Sequence, residues 1–264
     1  MFQKNPDPMR MEETPERVLS ACRLLARGSM SREALRAAMT LEKNGERELA
    51  EANRVIAVVQ EELGLVRRKN DCLEFVGPAE VLASPAAFRR YVSAQVFPRE
   101  DTTFVKFSRW VIAKNEELFR LGRWQVMAET CKAELPEMSG MDENAALGWR
   151  FWAAFLGLGY LSGSMFLPNM KLRLQDIFAV DYPWPYGQAV RAEELIPWLD
   201  GRLPEADLSG RLPLAVSAGL RTLHELGLIR LETWRDSRPV QLYFVDGEQI
   251  GAFSHITVNR EVRA

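Results

Sequence analysis

The tripeptide Leu-Gly-Leu occurs three times in this chain, at 63–65, 156–158 and 226–228, each time where a helical pattern stops. The surrounding stretches are "EELGLVRRKNDCLEFVG" (61–77), "FLGLGYL" (155–161) and "HELGLIRLETW" (224–234). Before the first copy, Val55, Ile56, Val59 and Leu63 form one apolar stripe at helical spacing. A glycine directly after such a stripe predicts a left-handed cap, because it has no Cβ to clash. The pattern then changes, and "LVRRKNDCLEFVG" reads as two short strands around a polar turn at Lys69-Asn70-Asp71. Each copy therefore marks a hinge between a helix and a hairpin. At the last copy, Leu214, Ala218 and Leu223 lie close to helical spacing with Leu220 alongside. "LIRLETW" and "VQLYFV" then alternate about a turn at "RDSRP", which predicts a hairpin with Leu228, Val240, Leu242 and Phe244 facing the core.

Upstream of the first hinge, Thr14 before Pro15 is a helix start, with Val18, Cys22 and Leu25 at helical spacing. Gly28 ends that helix. Ser31 caps a second, "REALRAAM", with Leu35, Ala38 and Met39 turned inward, and a polar connection, "TLEKNGER", leads to the third. Three helices followed by a hairpin is the order of a winged helix. The expected fold is mainly α with small β-hairpins, an α+β chain with two or three winged-helix domains around a helical middle. The expected bounds are 1–80, 84–180 and 188–264. The middle offers Phe104, Phe107, Val111 and Leu118 near one face, a helix at "RWQVMAETCKAEL", and another capped by Asp142 or Asn144. Its end, "LGLGYLSGSMFLPN", fits a third, degenerate copy. "DYPWPYG" (181–187) reads as a semi-rigid linker whose aromatics pack on a neighbour. "RAEELIPWLDGRLPEADLSGRLP" has room for two short helices limited by Pro197 and Pro204.

Segment 147–167 is long enough to span a bilayer, but it carries Arg150, glycines and two serines, so a buried helix, a turn and a strand are expected instead. Cys22, Cys72 and Cys131 are isolated and odd in number, which argues against disulfides and zinc. The polar N-terminus lacks an apolar signal core. The expected location is the cytoplasm.

Little in the chain carries chemistry. His224 and His255 are far apart, and HxxxH, HExxH, CxxC and GxxxxGK[ST] are all absent. The glycines at 157, 159 and 163 lack the strand–loop–helix order of a dinucleotide site, and "SGS" is not a nucleophile elbow. No catalytic residue, metal, cofactor or small-molecule substrate is expected, and the protein reads as a non-enzyme.

Net charge is −2, so a nucleic-acid contact has to be local. Arg outnumbers Lys by 27 to 7, a bias that suits phosphate contacts but also follows from a GC-rich genome. Arg67, Arg68 and Lys69 sit on the first hairpin. Arg211, Ser217, Arg221, Arg235 and Arg238 mark the last unit. These are the expected contacts to the backbone of double-stranded DNA, without sequence preference. The start of the third helix, with Glu46, Glu48 and Glu51 against Arg47 and Arg54, disfavours entry into the major groove. An acidic helix face suits protein docking, and of the seven tryptophans Trp184 and Trp234 are the expected interface residues.

The helix–Leu-Gly-Leu–hairpin patterns resemble winged-helix domains in general. The layout of winged helix, Trp-rich helical middle and winged helix, with "SREAL" and "LGLV", resembles accessory subunits of bacterial anti-phage and DNA-modification clusters, the DpdG proteins among them. It is also similar to the kite subunits of SMC complexes, a tandem winged-helix group. The resemblance implies a DNA-binding subunit of a larger defence or DNA-maintenance assembly. A protein–protein adaptor and a transcription regulator are the alternatives. It implies no site residue.

Overall fold

Thr14 opens the first helix, α1 (Pro15–Ala26), its hydroxyl accepting from the Arg17 amide at 3.4 Å. The computed structural model describes residue 2, residues 9–40 and residues 46–263, with the backbone alone for 46–49 and 263. Ser31 ends a two-residue strand, β1 (Met30–Ser31), and caps α2 (Arg32–Met39) by accepting from the Ala34 amide at 3.1 Å. Leu35 is buried, whereas Ala38 is exposed because α2 leans on the core along its Leu35–Met39 row. The expected connection at 40–47 lies largely outside the described residues.

The third helix, α3 (Glu46–Ala57), runs into one π turn, Val58–Glu62. Val55, Ile56, Val59 and Leu63 are all buried, as their spacing requires. Gly64 then takes φ +63° and Leu65 plugs the core. Strands β2 (Val66–Lys69) and β3 (Cys72–Phe75) pair antiparallel, with Val66 opposite Phe75 and Lys69 opposite Cys72. Their two-residue turn holds Asn70 and Asp71 at φ 48° and 62°, the left-handed pair that a tight hairpin twisting with its strands needs. β1 pairs with the other edge of β3, giving the order β1-β3-β2.

Helix α4 (Pro85–Val96) follows, capped by Ser84. Helices α5 (Thr103–Ala113) and α6 (Glu117–Leu121) are separated at Asn115, which has φ 51°. Next come α7 (Trp124–Glu134) and α8 (Glu143–Phe155), the latter capped by Asp142 Oδ1 accepting from the Ala145 amide at 2.7 Å. Gly157, at φ 83°, leads into the hairpin of β4 (Gly159–Ser162) and β5 (Met165–Pro168). Segment 147–167 is thus divided between a helix end and a hairpin. Among the described residues no helix is long and apolar enough to cross a membrane.

Helix α9 (Lys171–Val180), strand β6 (Ala189–Arg191) and helix α10 (Ala192–Asp200) come next. Between 191 and 213 one helix forms where two were expected, since the chain beyond Gly201 carries Pro204 and stays irregular. Helix α11 (Leu214–Glu225) ends before Gly227, at φ 68°, and strand β7 (Ile229–Glu232) begins.

The expected partner of β7 is wrong. Strand β8 (Val240–Gln241) pairs with β9 (Ala252–Phe253), whereas β7 pairs with β10 (His255–Val258). β10 is buried at every position and lies at the centre of the sheet β6-β10-β7. Such a strand outcompetes 240–245 as the neighbour of β7. Residues 233–254 become an excursion between the two strands. Leu242 is buried within it, Val240 is half-buried, and Phe244, expected inside, is 68% exposed.

The chain forms two compact units, Met1–Phe104 with Arg123–Phe155, and Val105–Gly122 with Leu156–Ala264. The first is built on rings. Phe2 meets Phe104 and Trp152 edge-on at 5.2 and 5.1 Å, and the Trp152 indole donates to the Glu13 carbonyl. The second is built around α11, where a Cβ on Gly219 would stand 2.8 Å from the backbone of Met170 and Lys171 at the start of α9. It also buries the Arg173–Glu205 ion pair, 2.9 Å apart, whose guanidinium donates in addition to the Arg202 carbonyl.

Both units repeat one order of elements. In the first it is α1-β1-α2-α3-β2-β3 with the sheet β1-β3-β2. In the second it is α9-β6-α10-α11-β7-β10, with the β8–β9 pair inserted between β7 and β10, and the sheet β6-β10-β7. In each, Leu-Gly-Leu stands between the third helix and the second strand.

Candidate functional site

The β2–β3 hairpin holds its basic residues in the open. Beyond Val66, the rest of β2 is exposed. The side chains of Arg67 and Arg68 are 64% and 66% exposed. Register places Arg67 opposite Glu74, and its Nη2 and Nε donate to Glu74 Oε1 at 2.7 and 3.1 Å. That hydrogen bond is the main reason the Glu74 carboxyl lies below its ordinary value. Arg68 donates to Asp71 Oδ1 at the turn, at 2.6 Å. Lys69 is exposed beside them. Exposed pairs of this kind contribute little to stability. One basic residue here was not anticipated. Ser31 pairs with Cys72, which brings Arg32 to the tip end of the sheet. Its signal was the arginine directly after the capping serine of "SREAL".

The acidic start of α3 is described only in part, since the side chains of Glu46, Arg47 and Glu48 lie outside the described ones. The remaining charges are paired within the unit: Glu51 accepts from Arg17 at 3.3 Å and Arg54 donates to Glu12 at 2.7 Å.

The second unit divides its expected residues sharply. Arg211, Arg235 and Arg238 are exposed, and Arg238 borders a polar pocket of about 200 Å³ shared with Arg191, Glu193, Asp236 and Ser254. Ser217 and Arg221 correct the expectation, because both are buried and their polar atoms are engaged internally. Ser217 Oγ accepts from the Tyr243 amide at 2.8 Å and donates to the Leu212 carbonyl at 3.2 Å. Arg221 donates to the carbonyls of Ile250 and Tyr243 at 3.0 and 2.8 Å, with Glu248 at 3.7 Å. Burial pulls its guanidinium below the usual value, opposed by Glu248 and Glu225. Together they clasp the 242–250 loop onto α11, satisfying loop backbone that would otherwise lack partners. α11 itself buries Leu214, Ala215, Val216, Ser217, Gly219, Leu220, Arg221 and Leu223, so little of it faces outward.

Trp234 is 48% exposed, and its other face stacks on His255 with centroids 3.6 Å apart. Trp184 is half-buried among Tyr182 and Trp198, so the 181–187 segment packs on its own unit. His224 Nδ1 accepts from the Leu231 amide at 3.1 Å, tying the end of α11 to β7. Among the described residues, no three or more His, Cys, Asp or Glu side chains are grouped to hold a metal. Comparisons with protein-family models, with curated proteins and with solved structures find no match to the chain.

Proposed function

We propose that each unit contains a winged helix and that the protein is a non-catalytic subunit that binds the backbone of duplex DNA without sequence preference. The shared order of elements, with the first strand added beside the third in both sheets, supports the winged-helix reading. The DNA reading is carried by one observation, the exposed run Arg67-Arg68-Lys69 beside a tight two-residue turn. Arg and Lys side chains of this kind contact phosphate without carrying sequence information. In the second unit the contacts are assigned to Arg211, Arg235 and Arg238, because α11 is packed inside its own unit. The layout that resembles anti-phage and DNA-modification accessory subunits gives the setting, a bacterial cytoplasmic defence or DNA-maintenance assembly. Reversing charge at Arg68 and Lys69 together is expected to weaken binding to a random-sequence duplex at least tenfold at low salt while leaving the thermal midpoint unchanged. Unchanged affinity would remove the hairpin from the interface.

A further inference from the structure

The second unit carries a cleft that phosphate chemistry cannot use. Its volume is about 350 Å³, within the range of about 300–1,000 Å³ typical of ligand sites. Three elements enclose it: the β4–β5 hairpin, the outer side of α11, and the excursion after β7, with α6 and the residue before it at one end. Its apolar lining includes Phe119, Tyr160, Leu167, Pro168 and Val245. Tyr160 and Leu167 are cross-strand partners on the hairpin, so they present one continuous patch. Phe119 is 40% exposed and Tyr160 53%. Single exposed rings are ordinary on a protein surface, but two rings sharing a cleft with three further apolar side chains form a patch that favours a partner.

The charge lining the cleft is mainly negative. Glu116, Glu225 and Glu248 are carboxylates, and Arg221 is the only cation among the lining residues. That guanidinium is buried and committed to the carbonyls of Ile250 and Tyr243. Among the described residues, the Glu116 and Glu225 carboxylates form no hydrogen bond or ion pair within 4.0 Å. An occupant therefore meets apolar surface bordered by available negative charge. DNA is repelled there, and an acidic segment likewise.

We propose that this cleft docks a short segment of a protein partner in which a lysine or arginine stands beside a large apolar side chain. The apolar side chain lies against Phe119, Tyr160 and Leu167, and the cation faces Glu225 and Glu116. The cleft is too small for a folded surface and suits a segment read one or two side chains at a time. This inference goes beyond the DNA reading and is independent of it, because it uses neither the first hairpin nor Arg235 and Arg238.

The test uses random dodecapeptides displayed on phage, selected against the full chain. The expected binders are enriched in Lys or Arg next to Leu, Phe, Trp or Met. Synthetic versions should lose at least tenfold in affinity against Glu116→Lys and against Phe119→Ser, both at exposed positions, with the thermal midpoint of each variant confirming that it folds. Binding to duplex DNA should persist in both variants, which separates failure here from failure of the DNA reading. No enrichment, enrichment of acidic peptides, or binding indifferent to both substitutions overturns the proposal. So does competition by spermine as effective as by the peptide itself, or a dimer of this chain that Phe119→Ser abolishes.

Discussion

Replacing Gly64, Gly157 and Gly227 by alanine, one at a time, separates two roles that the same tripeptide plays. All three glycines have positive φ, at 63°, 83° and 68°. A Cβ in the left-handed region costs about 1–2 kcal/mol, and the smaller entropy of the unfolded alanine chain returns about 0.4–1. At Gly64 and Gly227 a Cβ would meet nothing within 4 Å. The expected loss at each is therefore about 1 kcal/mol. At Gly157 the same atom would stand 2.6 Å from the Arg173 amide nitrogen and 2.8 Å from the Leu172 Cβ. Backbone cannot swing away as a flexible side chain can, so overpacking adds about 1–3 kcal/mol. Urea titration followed by tryptophan fluorescence measures the series, and Gly157 and Gly227 lie in the same unit, which makes their comparison direct. Asparagine tolerates the left-handed region and should recover part of the loss at 64 and 227 but none at 157. A Gly157→Ala variant no less stable than Gly227→Ala would refute the reasoning.

Arg221→Met is expected to cost about 3 kcal/mol, since it removes two charge-assisted bonds of about 1.5–3 kcal/mol each while methionine refills part of the space; loss of protection at the 242–250 amides in hydrogen exchange should accompany it. Cys22 and Cys131 are buried, and burial raises the Cys22 thiol to about 12. A thiol reagent at pH 8 should therefore modify half-buried Cys72 first and the other two only on unfolding. Glu74 titrates below its ordinary value in the folded chain, so the Arg67 pair stabilises the hairpin above the ordinary carboxylate range and loses that contribution as pH falls through the lowered value. Carboxyl NMR of an Arg67→Gln variant should show Glu74 returning upward, and an unmoved Glu74 would contradict the pairing.

Much of the fold was legible because its signals are local. Thr14-Pro15, Ser31 and Asp142 start helices, and each cap depends only on residues within the next turn. The left-handed glycines of the three hinges and the tight turn at Asn70-Asp71 are equally local. What escaped depends on distant partners. β1 and β6 are two and three residues long and exist as strands only through β3 and β10. Alternation in "VQLYFV" suggested a neighbour for β7, but alternation does not choose a partner, and the more deeply buried "HITV" took the place. Serine and arginine on a helix suggest solvent, yet Ser217 and Arg221 are buried because a loop more than 20 residues downstream brings them carbonyls and an amide. The exposed Arg67, Arg68, Lys69, Arg211, Arg235 and Arg238 were legible from turn composition. The acidic cleft was not, because its lining runs from Glu116 to Glu248.

The central claim concerns the DNA backbone, and a salt series tests it most directly. Fluorescence anisotropy with a random-sequence duplex should show log affinity falling linearly with log salt, with a slope of about −0.9 for each phosphate neutralised. The account predicts a slope corresponding to several contacts, reduced by about two in the Arg68→Glu, Lys69→Glu double variant. No binding at the lowest salt, or a slope that the double variant leaves unchanged, contradicts it.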